Sequence, residues 1–105
     1  MTSTLPSSVS GQLAPVSRRI RDRLEAAGVA YLANDNIADQ LQAGELEQLE
    51  IEVAGKVREL LRSLVIDIDN DHNTEETAER VARMYLHEVF KGRYHVLGGT
   101  LSALD

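Results

Sequence analysis

There is no cysteine in these 105 residues. Disulfides, zinc fingers, iron–sulfur clusters and thiol nucleophiles are therefore excluded. Aromatic residues are nearly as scarce. Tyr31, Tyr85, Phe90 and Tyr94 complete the set, so a self-sufficient core depends mainly on Leu, Val and Ile. Positive charge is in the minority: 11 Lys and Arg face 17 Asp and Glu, for a net charge of −6. That balance argues against general nucleic-acid binding, which needs a basic surface to neutralise phosphates. No run approaches the roughly 20 apolar residues of a membrane span. The opening MTSTLPSSVSGQLAP has neither the basic start nor the apolar run of a signal peptide. The expectation is a soluble, cytoplasmic protein with no nucleic-acid or membrane partner. A chain of this length makes one small domain and buries a modest share of its surface, so a partner or a second copy often completes the core.

What is present is helical periodicity. Residues 1–15, rich in Ser, Thr, Gly and Pro, read as a disordered tail. Residues 16–94 read as a helical region and residues 95–105 as a C-terminal tail. A first helix is expected over 16–28, where Val16, Ile20, Leu24 and Ala27 recur at helical spacing, with Ser17 as N-cap and Gly28 as C-cap. Asn34, Asp35 and Asn36 favour turns, and a short helical turn fits Ile37–Leu41. The longest regular segment runs over 45–65. Leu46, Leu49, Val53, Val57, Leu60, Leu61 and Leu64 make its apolar stripe. Glu45, Glu47, Glu50 and Glu52 crowd its first turns, and Arg58 and Arg62 its end, as the helix dipole favours. Gly55 inside it costs on the order of 1 kcal/mol against Ala and suits a close helix contact. A last helix is expected over 74–91, capped by Asn73 or Thr74, with Asn73 and Glu76 fitting a capping box, and stopped by Gly92. Its inner face is Val81, Met84, Tyr85 and Val89, with Leu86 and Phe90 at the margins. No period-two strand pattern occurs. The fold class is all-α: an antiparallel helical hairpin within a small helical assembly.

Several stretches invite a site. Asp67, Asp69 and Asp71 match the first three ligands of a calcium loop, but His72 stands where the loop needs Gly and Ala78 where it needs a bidentate Glu. The aspartates then belong to a polar connection beside a helix start. His72, His87 and His95 are spaced too irregularly to share a helix turn, and read as three unrelated surface histidines. No metal site and no catalytic constellation is expected. Arg18, Arg19, Arg21 and Arg23 form the one basic cluster, a solvated helix face or a surface for an acidic partner.

The run TEETAERVARMYLHEVFKGRY resembles the helix before the catalytic core of the GTP cyclohydrolase I family. That family shows Thr-Pro-x-Arg, an apolar residue, Ala, Lys or Arg, Met, then Tyr or Phe, and later Phe-x-Gly. Thr77, Arg80, Val81, Ala82, Arg83, Met84, Tyr85, Phe90 and Gly92 fall in register, with Ala78 in place of the proline. The upstream helix is similar more loosely, and the resemblance covers about residues 34–94. It implies a zinc-dependent hydrolase of tetrahydrofolate and pterin biosynthesis that converts GTP to 7,8-dihydroneopterin triphosphate and formate. The family's zinc ligands, two cysteines and a histidine, and its β-rich tunnelling-fold core are not in these 105 residues, so no cofactor is expected in this chain and catalysis by it alone is not.

The resemblance assigns one role. The arginine and the basic residue three positions later contact the substrate triphosphate, and they correspond here to Arg80 and Arg83. Positions i and i+3 share a helix face, and guanidinium forks suit phosphate oxygens. The competing reading pairs Glu76 with Arg80 and Glu79 with Arg83 as surface i,i+4 ion pairs. The partners implied are GTP, bound weakly, and further copies of the chain or a full-length paralogue. The alternative function is a helical protein-interaction module that co-assembles with, or regulates, a full-length cyclohydrolase. A fragment ought to leave apolar stripes exposed; a self-contained module ought to close them.

Overall fold

The computed structural model describes residues 14–74 and 76–96. The expected tails over 1–15 and 95–105 lie almost wholly outside these residues. Four α-helices follow one another: α1 Val16–Ala27, α2 Glu45–Ser63, α3 Thr77–Met84 and α4 Lys91–Tyr94. Short 3-10 turns at Ala38–Gln40 and His72–Thr74 precede α2 and α3, and a π-helical turn, Tyr85–Val89, links α3 to α4. No strand occurs among the described residues. The fold is the expected all-α one.

α1 and α2 run antiparallel, tied at successive levels by Ser17 to Glu52, Arg19 to Gln48 and Arg23 to Glu45. Between them lies the main core: Val16, Ile20 and Leu24 of α1 against Leu49 of α2, closed by Ile37 and Leu86. α2 and α3 are antiparallel too, and here small residues do the packing. Ala54 meets Ala78 and Ala82, the last fully buried at 0 % exposure, with Val53 and Val57 alongside. The close contact foreseen at Gly55 belongs to its neighbour Ala54; a Cβ built on Gly55 meets nothing within 4 Å.

The helix starts differ from expectation for a shared reason: carboxylates from elsewhere do the capping. Pro15, not Ser17, precedes α1, and the Ser17 amide and hydroxyl both donate to Glu52 of α2. The Asn73–Glu76 capping box does not form. Asp71 instead accepts from the Asn73 amide at 2.9 Å and holds the 3-10 turn, and α3 begins three residues later than its pattern suggests.

α1 and α2 end in the same hydrogen-bonded turn. After α1, the amides of Gly28 and Val29 reach Glu25 and Leu24; after α2, those of Val65 and Ile66 reach Arg62 and Leu61. This is the Schellman arrangement, which needs a left-handed residue. Gly28 supplies it at φ 67°; in the second turn Val65 is forced to φ 66°.

The largest departure concerns the last helix. Its buried line is Ala78, Ala82 and Leu86, not Val81, Met84, Tyr85 and Val89. Met84, Tyr85, Val89 and Phe90 are exposed, Val89 at 56 %. The alanines take the inner face because α2 approaches closely enough to exclude larger side chains. The far end of the α2 stripe is uncovered as well, with Leu60 at 57 % and Leu64 at 61 %, because α3 begins opposite Arg58 and nothing described packs beyond it.

Candidate functional site

Arg80 and Arg83 project from the side of α3 opposite its alanines, since successive residues turn by about 100°. Both are exposed. With Val81, Met84 and Glu88 they line an open groove. Neither guanidinium has a carboxylate partner among the described residues. The i,i+4 pairs read from the sequence are not made: Glu79 turns inward to Arg58 of α2. Two unengaged forks therefore share one face, three residues apart. Glu88 is the carboxylate in the same lining and works against an anion there.

The other arginines are occupied to different degrees. The basic cluster of α1 does not act as one surface. Arg23 forms a two-pronged ion pair with Glu45, both contacts at 2.7 Å, and also donates to the Gln40 carbonyl at 2.6 Å. Arg19 reaches Gln48 and the Ala14 carbonyl. Glu45 is the one buried charged side chain among the described residues. The Arg23 fork lowers its pKa from the ordinary 4.5, burial opposes that shift, and the Gln42 amide adds to it. The same contact raises the pKa of Arg23.

The histidines are not three unrelated groups. His87 Nδ1 lies 2.9 Å from His95 Nε2, and His87 Nε2 lies 2.9 Å from Glu50 Oε1 of α2. No local pattern hints at this, because spacings of 15 and 8 place no two histidines on one helix turn. The π turn and the reversal after Phe90 bring His95 back onto His87. The turn is held from its other side by the loop before α2. Arg93 donates to the carbonyls of Tyr31, Leu32 and Asp35; Asn36 Nδ2 donates to those of Gly92 and His95; the Ile37 amide donates to the Arg93 carbonyl at 2.7 Å.

The aspartates of the connection after α2 bond to their neighbours. Asp67 accepts from Asn70, Asp69 faces Arg62 at 3.4 Å, and Asp71 caps the 3-10 turn. No group of three or more His, Asp or Glu among the described residues is placed to hold a metal ion. With no cysteine either, the zinc implied by the resemblance finds no ligand set of the family's type here. No helix among the described residues is long and apolar enough to cross a membrane.

Comparison with known proteins adds a partial similarity. No family model matches the chain, and no solved structure does. The chain is 30% identical over 80 residues to GTP cyclohydrolase 1 of Vibrio cholerae serotype O1 (strain ATCC 39315 / El Tor Inaba N16961), a match that takes in 76% of this chain and 34% of the relative. The aligned part of the chain thus spans about a third of the protein it resembles.

Proposed function

We propose that this chain is the N-terminal helical part of a GTP cyclohydrolase I-type protein, and that Arg80 and Arg83 contact the triphosphate of GTP. Conversion of GTP to 7,8-dihydroneopterin triphosphate and formate then depends on zinc-bearing residues these 105 do not include. The observation that carries this reading is the state of the two arginines. They are exposed, they share the face opposite the alanines, and no carboxylate among the described residues engages them. Arg58, Arg62 and Arg23, by contrast, are all paired. A helix that spends Glu79 on α2 leaves its outer guanidiniums open to a polyphosphate.

Isothermal titration tests it. GTP and inorganic tripolyphosphate should both bind weakly, and guanosine should not. Arg80→Ala with Arg83→Ala should reduce the affinity by roughly tenfold or more, since each charged hydrogen bond contributes about 1.5–3 kcal/mol. Glu88→Gln should strengthen binding by removing the opposing charge from the groove's described lining. An affinity for GTP unchanged by the double substitution removes the phosphate role. The chain mixed with GTP and zinc should yield no fluorescent pterin.

A second reading is favoured by a separate observation. Met84, Tyr85, Val89 and Phe90 form an exposed apolar strip beside the groove, as a surface that packs on a cyclohydrolase core would. The chain would then co-assemble with a full-length cyclohydrolase. Light scattering of the mixture distinguishes the two, because only co-assembly shifts the chain into the larger species.

A further inference from the structure

We propose that Glu50, His87 and His95 form a pH-operated latch on the C-terminal turn, closed while the two imidazoles share at most one extra proton and open when both are charged. The proton count follows from the contacts. Glu50 Oε1 can only accept, so His87 Nε2 carries a hydrogen and donates to it. His87 Nδ1 is then a lone pair, and His95 Nε2–H fills it across 2.9 Å. One further proton can enter at His95 Nδ1, outside the chain of bonds. It leaves both bonds intact and strengthens the His95 donor. A second proton has only His87 Nδ1 to take. There it would set N–H against N–H between two cationic rings whose centroids are 5.0 Å apart, and the contact must part.

The neighbouring groups do not replace this function. From α2, Glu50 is the carboxylate bonded to the pair. On the π turn, Glu88 follows His87 in sequence. Lys91 and Arg93 lie on α4 before His95, and the Arg93 guanidinium is turned to the carbonyls of Tyr31, Leu32 and Asp35. The loop before α2 offers the uncharged amide of Asn36 to the His95 carbonyl. The loop side of the turn is therefore held by a guanidinium and amides, and the α2 side by the two imidazoles. Acid would free one side of the turn and loosen the direction in which the chain leaves His95.

The test is imidazole and amide NMR on the 105-residue chain from about pH 8 to about pH 5, spanning the range in which histidine changes charge. At the upper end His87 should be the Nε2–H tautomer, with a ring-to-ring Overhauser effect to His95. At the lower end that effect should vanish, and exchange of the His95 amide, corrected for its intrinsic rate, should rise about tenfold, the effect of losing one hydrogen bond. The Gln48 amide in α2 should not follow. His95→Gln keeps a donor for His87 Nδ1 but removes one titrating ring, so its turn should stay protected at acid pH. His87→Ala should be loose at both ends of the range, with helicity checked by circular dichroism. A ring contact that survives at pH 5, or an acid response in His95→Gln equal to that of the unaltered chain, overturns the latch.

Discussion

At the scale of single residues, the glutamates at the start of α2 have separate tasks that their common position hides. Read from the sequence they are one acidic cluster placed to suit a helix dipole. In the structure Glu45 is buried on Arg23, Glu50 holds His87, and Glu52 caps α1 through Ser17. Residue type and helix position predicted the charge preference; the partners come from other helices, which no local pattern reports. Glu45 has a pH consequence. Its folded pKa lies below the ordinary 4.5, so the stability it contributes is present above about that pH and is lost as pH falls through the lower folded value. Glu45→Gln should cost about 2–3 kcal/mol in urea unfolding at pH 7, because it weakens a largely buried charged pair. The gap between variant and unaltered chain should narrow steadily below pH 4.5; a gap that stays constant into acid assigns the loss to packing instead. The legible part of the candidate site lies at this scale as well. Arg80 and Arg83 are singled out by the family resemblance of their helix, while their lack of a carboxylate partner among the described residues depends on where Glu79 turns.

At the scale of elements, α1 and α2 were readable because their apolar periodicity is regular and long. α1 ends at Ala27 and α2 at Ser63, within two residues of the ends the sequence suggested. The last helix was not readable in the same way. Its larger apolar residues marked the wrong face, because alanine weighs little in any hydrophobic pattern and yet is what a close helix crossing selects. Its break into a π turn follows from tertiary contacts at both ends and has no local signature. The two Schellman turns offer a controlled comparison within one molecule. Val65, 91 % exposed, sits in a left-handed conformation that Gly28 adopts without strain. Left-handed backbone costs an L-residue about 1–2 kcal/mol, and the greater unfolded-state freedom of glycine returns roughly 0.5–1. Val65→Gly should therefore raise stability by about 0.5–1 kcal/mol, seen as a Tm higher by a few degrees, and Gly28→Val should do the reverse. A lower Tm for Val65→Gly would mean that the valine side chain makes contacts that outweigh its backbone strain.

At the scale of the whole molecule, the described residues form two unequal seams, one of aliphatic side chains between α1 and α2 and one of alanines between α2 and α3. The outer apolar strip of Met84, Tyr85, Val89 and Phe90 belongs to neither. Replacing Tyr85 and Phe90 by Lys and Glu should leave helicity and Tm nearly unchanged, since exposed substitutions usually move stability by about 0.5 kcal/mol or less. The same pair should abolish any concentration-dependent association seen by sedimentation. A substantial loss of Tm would place those rings inside the fold rather than on it. The sequence disclosed the fold class of this assembly but not its helix count, three expected against four found because the last helix breaks at the π turn and resumes through Gly92, nor which faces remain open, because openness is settled by what each helix meets. The π turn has one more consequence. Its Phe90 amide bonds back to Tyr85, five residues earlier, so the segment holds one residue more than an α-helix of the same rise. Deleting one residue there should let the segment close as an α-helical turn of the same rise with Arg93 still near the loop carbonyls, whereas deleting one from the regular helix before it should swing Arg93 by about 100°. The extra residue of the π turn is thus a local slack in the helix, absorbed between Tyr85 and Phe90.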